Sequence, residues 1–236
     1  MIYNHYMNYG LSDVSLVILT MNEEECIQFV LDEIKEMGFG EVIIIDNNSS
    51  DKTIEFASKY DVKVVNQSKP GWGNAVIQGF SLATKEFITY MDGDGSYNPI
   101  SIIEMKKIIQ KGSAVFGSRY KGGKKSEDDT LIRLIGNKIY TSITKQLFHF
   151  PTTDSLFFFP LIYRSDFEEI NTISSDFTMC IEIPFLCTKK GLDFIEISSI
   201  ERKRYAGKSK VNALTDGFNI LLGISKLHRQ HRLYDK

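Results

Sequence analysis

Residues 87–96 read Phe87-Ile88-Thr89-Tyr90-Met91-Asp92-Gly93-Asp94-Gly95-Ser96. The segment Phe87 to Met91 is an apolar run of strand length, and it runs straight into two carboxylates separated by one glycine. A strand without polar alternation is covered on both faces, as in a parallel sheet flanked by helices. A turn at Gly93, which glycine permits, aims both acids the same way. Two close carboxylates repel unless a proton or a cation lies between them. Magnesium and manganese take oxygen ligands, commonly few protein carboxylates plus substrate phosphates. Asp92 and Asp94 are therefore candidate ligands for Mg²⁺ or Mn²⁺ clamping a diphosphate. The competing reading is a plain Asp-Gly turn, which does not account for the buried strand leading into it.

Working outward, Val14 to Thr20, Glu41 to Asp46, Val62 to Asn66 and Ala114 to Gly117 read as further strands. Between them Asn22 is placed as the cap of a helix running to Met37, with Glu23, Glu24 and Glu25 in its first turn. Ser49 or Ser50 caps a second helix ending near Tyr60, Trp72 to Thr84 forms a third, and Pro99 opens a fourth. Five strands alternating with helices predict an α/β fold with a mostly parallel sheet and helices on both faces. Ligands in such sheets bind at the carboxyl ends of the strands. There the sequence places Asn22-Glu23, Asp46-Asn47-Asn48 and Asp92-Gly93-Asp94.

Beyond residue 120 the alternation stops. Lys121 to Thr130 is a charged loop, Leu131 to Phe148 an amphipathic helix, Leu156 to Tyr163 a strongly apolar run, Phe177 to Lys190 a helix and Asp193 to Ile200 a strand. A last amphipathic helix spans about Val211 to His228. The chain is read as one domain over 1–236, with a ligand-binding half (14–120), a second-substrate half (121–210) and the C-terminal helix (211–236).

The net charge of −2 carries no nucleic-acid footprint, but it is unevenly spread. From Glu201 to Lys236 nine Lys/Arg face three Asp/Glu, a balance of +6; the other 19 against 27 leave −8. A basic end on an acidic body indicates a surface that meets anions or an anionic membrane. Cys26, Cys180 and Cys187 lack metal-site spacing and are odd in number, which argues for a reducing compartment. No signal peptide and no run of about 18 uncharged apolar residues is present. The four histidines are not at ligand spacing.

Asp46 either accepts hydrogen bonds from a nucleobase or ribose, or belongs to the capping cluster of the next helix. The glycines around Trp72, Gly73 above all, either let backbone N–H groups approach a phosphate or shape a plain loop. Arg119, Arg133, Arg204 and Lys210 are candidate phosphate ligands, against the alternative of a solvated basic surface. The Gly-punctuated stretch Arg202 to Lys210 has the character of a loop that closes over an anion.

In this order the motifs resemble the family 2 glycosyltransferases of the GT-A (Rossmann-like) fold, and among them the dolichyl-phosphate mannose synthase branch with its polyprenyl-phosphate hexose relatives. The resemblance rests on Thr20-Met21-Asn22-Glu23, on Ile45-Asp46-Asn47-Asn48-Ser49-Ser50-Asp51-Lys52-Thr53 and on Asp92-Gly93-Asp94. It continues through Gly117-Ser118-Arg119-Tyr120, Arg133, and Arg204, Gly207, Ser209 and Lys210. Met21 stands where the family has an aromatic residue, and Ser96 where the branch often has Gln. The resemblance implies inverting transfer of a hexose from a nucleotide-sugar donor, GDP-mannose or UDP-glucose, to a polyprenyl phosphate. It implies Mg²⁺ or Mn²⁺ on Asp92 and Asp94, and donor contacts from Thr20, Asn22, Glu23, Asp46, Gly73, Gly93, Ser96 and Arg133. Asp94, Arg119, Arg204 and Lys210 become the catalytic set. An acceptor phosphate is already ionised, so catalysis reduces to positioning and charge stabilisation.

A lipid acceptor needs an apolar approach, offered by Leu131, Ile132, Ile135, Ile139, Phe148 and the Leu156 to Phe159 run. The C-terminal helix, with Leu221, Leu222, Ile224 and Leu227 near Lys226, Arg229 and Arg232, either lies on an anionic membrane or packs on the core. The implied setting is the cytoplasmic face of a membrane, held peripherally or through a small membrane-anchoring subunit. Two other functions fit the residues. One is transfer to a saccharide hydroxyl, which needs a carboxylate base such as Asp154 or Glu182. The other is a non-catalytic nucleotide-sugar-binding subunit, against which the intact Asp92 and Asp94 speak.

Overall fold

The buried runs do pair. The computed structural model describes residues 10–123, 126–127, 129–207 and 215–234. Seven strands form one sheet: β1 (Val14–Thr20), β2 (Glu41–Asp46), β3 (Lys63–Asn66), β4 (Phe87–Asp92), β5 (Ser113–Ser118), β6 (Pro160–Tyr163) and β7 (Asp193–Ser198), in the order β3-β2-β1-β4-β6-β5-β7. All neighbours are parallel except β6, which runs antiparallel to both β4 and β5. The helices are α1 (Ile27–Ile34), α2 (Thr53–Ala57), α3 (Trp72–Leu82), α4 (Ile100–Ile108), α5 (Leu131–Phe148), α6 (Arg164–Glu168), α7 (Met179–Lys189) and α8 (Thr215–Tyr234).

Register, more than strand count, builds the site. Thr20 pairs with Asp46 and Leu19 with Asp92, so three central strands end level. The polar residues that follow each strand therefore meet at one edge. β6 pairs with β4 only over Phe87–Thr89 and with β5 only over Val115 and Phe116. Above Pro160 the sheet consequently opens between β4 and β5, and Phe157 and Phe158 fill the gap from below. Local bonds hold this split: Thr89 Oγ1 donates to Pro160 O at 2.6 Å, Gly117 N to Phe159 O at 2.8 Å, and Tyr97 Oη to Phe158 O at 3.1 Å.

Two expected helix starts differ. Asn22 does not cap α1; its backbone is left-handed (φ 52°) and its Oδ1 accepts from Ser50 N at 2.8 Å. Glu24 likewise turns to the neighbouring loop, accepting from Lys52 N at 3.0 Å. With those residues engaged across the strand ends, the helix begins only at Ile27. Neither Ser49 nor Ser50 caps α2; Asp51 Oδ1 accepts from Thr53 N at 2.9 Å there. The run Leu156 to Tyr163 yields only the four-residue β6.

α8 lies against α5 and the start of α7 at two glycine notches. A methyl group on Gly223 would sit 1.9 Å from Thr178 Oγ1, and one on Gly217 would sit 2.6 Å from the Tyr140 hydroxyl. Ile224 and Leu227 are buried there with Phe148, Phe150 and Ile181. Phe148 is thus core rather than part of an approach for lipid. Phe218, Leu221 and Leu222 on the same helix remain exposed. No helix among the described residues is long and apolar enough to cross a membrane.

α3 packs against the sheet through Gly79, where an added methyl would lie 2.3 Å from Val17 Cγ1. Val17 is fully buried and χ1-stiff, so the strand cannot yield cheaply. Gly79→Ala gains about 1 kcal/mol of helix propensity and loses about 1–3 kcal/mol to overpacking. The expected outcome is a lower urea midpoint with an unchanged denaturant slope.

Candidate active site

The acid pair faces a cavity of about 420 Å³ in the gap above β6, lined among others by Asp92, Asp94, Ser96, Arg119, Arg133 and Arg204. Sequence places these residues in four separate segments; the sheet opening brings them to one wall. Gly93 does not supply the turn through a left-handed backbone; that residue is Gly95 (φ 81°). Gly93 is required because β1 presses on it. A methyl there would meet Thr20 Cγ2 at 2.7 Å and Leu19 O at 3.0 Å.

The two acids are held differently. Asp94 Oδ1 accepts from Ser96 N at 2.9 Å and Ser96 Oγ at 2.7 Å, which fixes the role of Ser96 as a brace for the carboxylate. Asp94 Oδ2 accepts from Arg204 Nη1 at 2.6 Å. Asp92 Oδ1 accepts from the Tyr90 hydroxyl, and its Oδ2 accepts no hydrogen bond among the described residues. Burial, reinforced by the Asp94 charge, pushes the Asp92 carboxyl up to about 7.

Arg204 supplies the missing positive charge. Its Nη2 donates to Glu23 Oε1 and Oε2 at 2.9 and 3.1 Å while Nη1 holds Asp94. Burial opposes its charge, but Asp94 and then Glu23 raise its pKa above the ordinary value. The guanidinium is not fully used: Nε is buried with no hydrogen-bond partner among the described residues. The segment 201–207 is pinned over the acid turn by Arg202 N to Ser96 O at 2.8 Å and Tyr205 N to Asp94 O at 2.9 Å. Arg202 also forks onto Glu33 at 2.7 and 2.8 Å, and Tyr205 stacks on Phe29 with centroids 4.2 Å apart. Lys210 lies outside the described residues.

Other expected ligands are committed to the protein itself. Asp46 is fully buried; its Oδ1 accepts from Thr20 Oγ1 at 2.8 Å and Ser49 Oγ at 2.6 Å, and its Oδ2 accepts from Ser49 N at 2.7 Å. Thr20 and Asp46 thus order the first and second strand ends together. Gly73 N donates to Ser175 O at 3.0 Å, and a methyl on Gly73 would meet Ser175 C at 2.8 Å, so the glycine admits a neighbouring loop. Arg119 is bound bidentately by Asp154, Nε to Oδ2 at 2.7 Å and Nη2 to Oδ1 at 2.8 Å, with Glu201 at 3.2 Å. Despite its burial, Asp154 and Glu201 hold Arg119 well above the usual range. Arg133, on the first turn of α5, lines the cavity.

The two carboxylates considered as bases are also occupied. Asp154 has no exposed side-chain surface and is locked to Arg119. Glu182 is fully buried and accepts from Ile173 N and Ser174 N, each at 2.8 Å. Sequence reasoning missed this, as it missed Tyr90, Trp72 and Glu201. Only Tyr90 left a usable signal, being a polar group two residues before Asp92 and so on the same strand face.

The donor set fits a hard divalent cation. Asp92 offers an oxygen with no hydrogen bond among the described residues, Asp94 an oxygen paired with the Arg204 guanidinium, and the like charges repel each other. Among the described residues no group of three or more His, Cys, Asp and Glu converges as a metal site. Asp92 and Asp94 would hold such a cation, with its remaining ligands coming from phosphate oxygens and water.

Comparison with known proteins agrees with this geometry. Residues 15–171 match the profile described as Glycosyl transferase family 2. The chain is a family 2 glycosyltransferase. It is 38% identical over 121 residues to a dolichol-phosphate mannosyltransferase of Pyrococcus furiosus, a match covering 47% of this chain and 34% of that protein. The chain therefore spans about a third of that relative's length. It is 26% identical over 228 residues to a dolichyl-phosphate hexose transferase of Haloferax volcanii, covering 95% of this chain and 98% of the relative. A glucosyl-3-phosphoglycerate synthase of Mycobacterium tuberculosis, solved with Mn²⁺, UDP and glucosyl-3-phosphoglycerate, superposes with a TM-score of 0.71 at 16% identity over 93% of this chain and 84% of that one. At that identity the likeness shows the fold alone, which is GT-A, as expected.

Two outcomes follow from the charges. The unfolded Asp92 carboxyl titrates near 4 and the folded one near 7. The folded state thus binds the extra proton between those values, and stability contributed below pH 4 is lost as pH rises through 7. In chelator, Asp92→Asn escapes that loss, so its Tm relative to the parent rises from pH 4 to pH 8 in a thermal melt series. Arg119→Met leaves Asp154 buried and unpaired, and chemical denaturation is expected to show a loss of about 3–5 kcal/mol.

Proposed function

We propose that this glycosyltransferase moves a hexose from a nucleotide-diphosphate sugar to a polyprenyl phosphate, with inversion and with Mg²⁺ or Mn²⁺ held by Asp92 and Asp94. The observation that carries the reading is the composition of the cavity. It has the acid pair at one side, Arg204 and Arg133 beside it, and an apolar lining that includes Ile132, Leu156, Phe157 and Ile220. Its rim continues onto exposed apolar side chains: Leu131 and Ile132, each 73% exposed, Ile135 and Ile139 on α5, and Phe218, Leu221 and Leu222 on α8. A phosphate carrying a long hydrocarbon needs that sequence of surfaces, and a saccharide does not. The named activities of the Pyrococcus and Haloferax relatives point the same way.

The engagement of both carboxylates considered as bases supports the same acceptor. A hydroxyl must lose a proton during attack, yet Asp154 and Glu182 are both consumed by structural bonds. A phosphate monoester arrives ionised. Its oxygen attacks the anomeric carbon opposite the nucleotide, and the chain's work is alignment and charge neutralisation. Arg133, Arg204 and, by the family motif, Lys210 take the acceptor phosphate and donor diphosphate. Glu23, Asp46 and the turns they brace shape the nucleoside side. When bound, the divalent cation neutralises charge on the leaving diphosphate; the Mycobacterium synthase crystallised with Mn²⁺ supports this choice. The exposed faces of α5 and α8, with Lys226 and Arg229 nearby, would hold the protein at an anionic cytoplasmic membrane surface, alone or with an anchoring partner.

The test is transfer from GDP-mannose, UDP-glucose or UDP-GlcNAc to short polyprenyl phosphates, with and without divalent metal. One donor is expected to react only with metal present, and Asp92→Asn or Asp94→Asn to lower turnover at least about 100-fold. Metal-independent turnover, or transfer to a saccharide hydroxyl that survives Arg204→Ala and is abolished by Glu182→Gln, would overturn the reading.

A further inference from the structure

Tyr90 is fully buried, yet its hydroxyl is not a stray polar group in the core. Tyrosine and aspartate two residues apart on β4 share a face, and the phenol donates to Asp92 Oδ1. The same phenol oxygen accepts from Trp72 Nε1 at 3.0 Å. An indole N–H can only donate. It therefore takes a lone pair of the phenol and leaves the phenol's single proton to Asp92.

Trp72 is itself fixed. It stands in the first turn of α3 after Gly71, whose φ of 107° suits glycine. Its ring stacks on Phe177 with centroids 5.1 Å apart and meets Tyr90 and Phe158 edge-on, each at 5.5 Å. The two ends of the relay, Trp72 and Asp92, both line the cavity.

We infer that Tyr90, oriented by Trp72, is the positioning residue for the Asp92 carboxylate: it occupies one oxygen and leaves the other for a cation. Asp94 has no part in this relay, being braced by Ser96 instead. The inference rests on the reading above that the acid pair binds a divalent metal, and the experiment separates the two.

Mn²⁺ binding to the whole chain is measured by the loss of the free-ion electron paramagnetic resonance signal, with GDP or UDP present, for the parent, Tyr90→Phe, Trp72→Phe and the double variant. Phenylalanine keeps the ring packing in the first variant and removes only the hydroxyl. Tyr90→Phe is expected to weaken Mn²⁺ binding about 10- to 100-fold, as loss of a hydrogen bond to a metal ligand does. Trp72→Phe is expected to weaken it several-fold, and the double variant to bind no more weakly than Tyr90→Phe, because tryptophan acts through tyrosine. Parent-like binding by Tyr90→Phe, or single effects that multiply in the double variant, overturns the inference. Parent protein that binds no Mn²⁺ overturns instead the metal reading beneath it. Should Tyr90→Phe fail to fold, Trp72→Phe decides alone: weakened binding with an unchanged Tm supports the relay, and parent-like binding refutes it.

Discussion

The governing constraint is electrostatic: two carboxylates, Asp92 and Asp94, share a partly dehydrated recess and cannot both be charged there without compensation. Much of the surrounding architecture reads as an answer to that problem. Ser96 and Tyr90 each saturate one oxygen, Arg204 neutralises one acid while tying it to Glu23, and the segment 201–207 is laid across the turn so that the arginine can reach. The site therefore carries a substitute cation of its own. A metal and a diphosphate bound as proposed would exchange one set of charge contacts for another rather than create them from nothing.

A second ion system lies deeper and does a different job. Arg119, Asp154 and Glu201 join the end of β5, the loop before β6 and the segment after β7. Such a group adds little to net stability compared with an apolar core, but it fails badly if one member is lost. Its effect is to fix where the chain leaves the sheet on the far side of the opening, and so to fix the width of the cavity mouth.

What the sequence revealed and what it hid follow from range. β1, β2 and β4 are continuous apolar runs, and their polar termini announce the ligand edge; that information is local. The sequence predicts an earlier start for α1 because Asn22 and Glu24 have good capping chemistry, and only the register of β1 against β2 shows that the neighbouring loop captures them. β6 was hidden because LFFFPLIY carries no alternation to mark an antiparallel strand, and its pairing depends on partners some 45 and 75 positions away. Arg119 and Glu182 looked chemical because an arginine fork or a carboxylate has no visible partner in one dimension. Asp154 lies 35 residues from Arg119, and Glu182 caps backbone eight and nine residues before it.

The two glycine notches under α8 bear on reach. With Gly217 seated against Tyr140 and Gly223 against Thr178, the helix backbone lies too close to its neighbours to roll or slide without losing the fit. The greasy ridge it forms with α5, at the rim of the cavity that the acid pair lines, is then held at a set distance from the acids. A bilayer resting on that ridge would sit at one standoff from the reacting atoms, and only an acceptor whose head group dips below the interface by that depth would be within range.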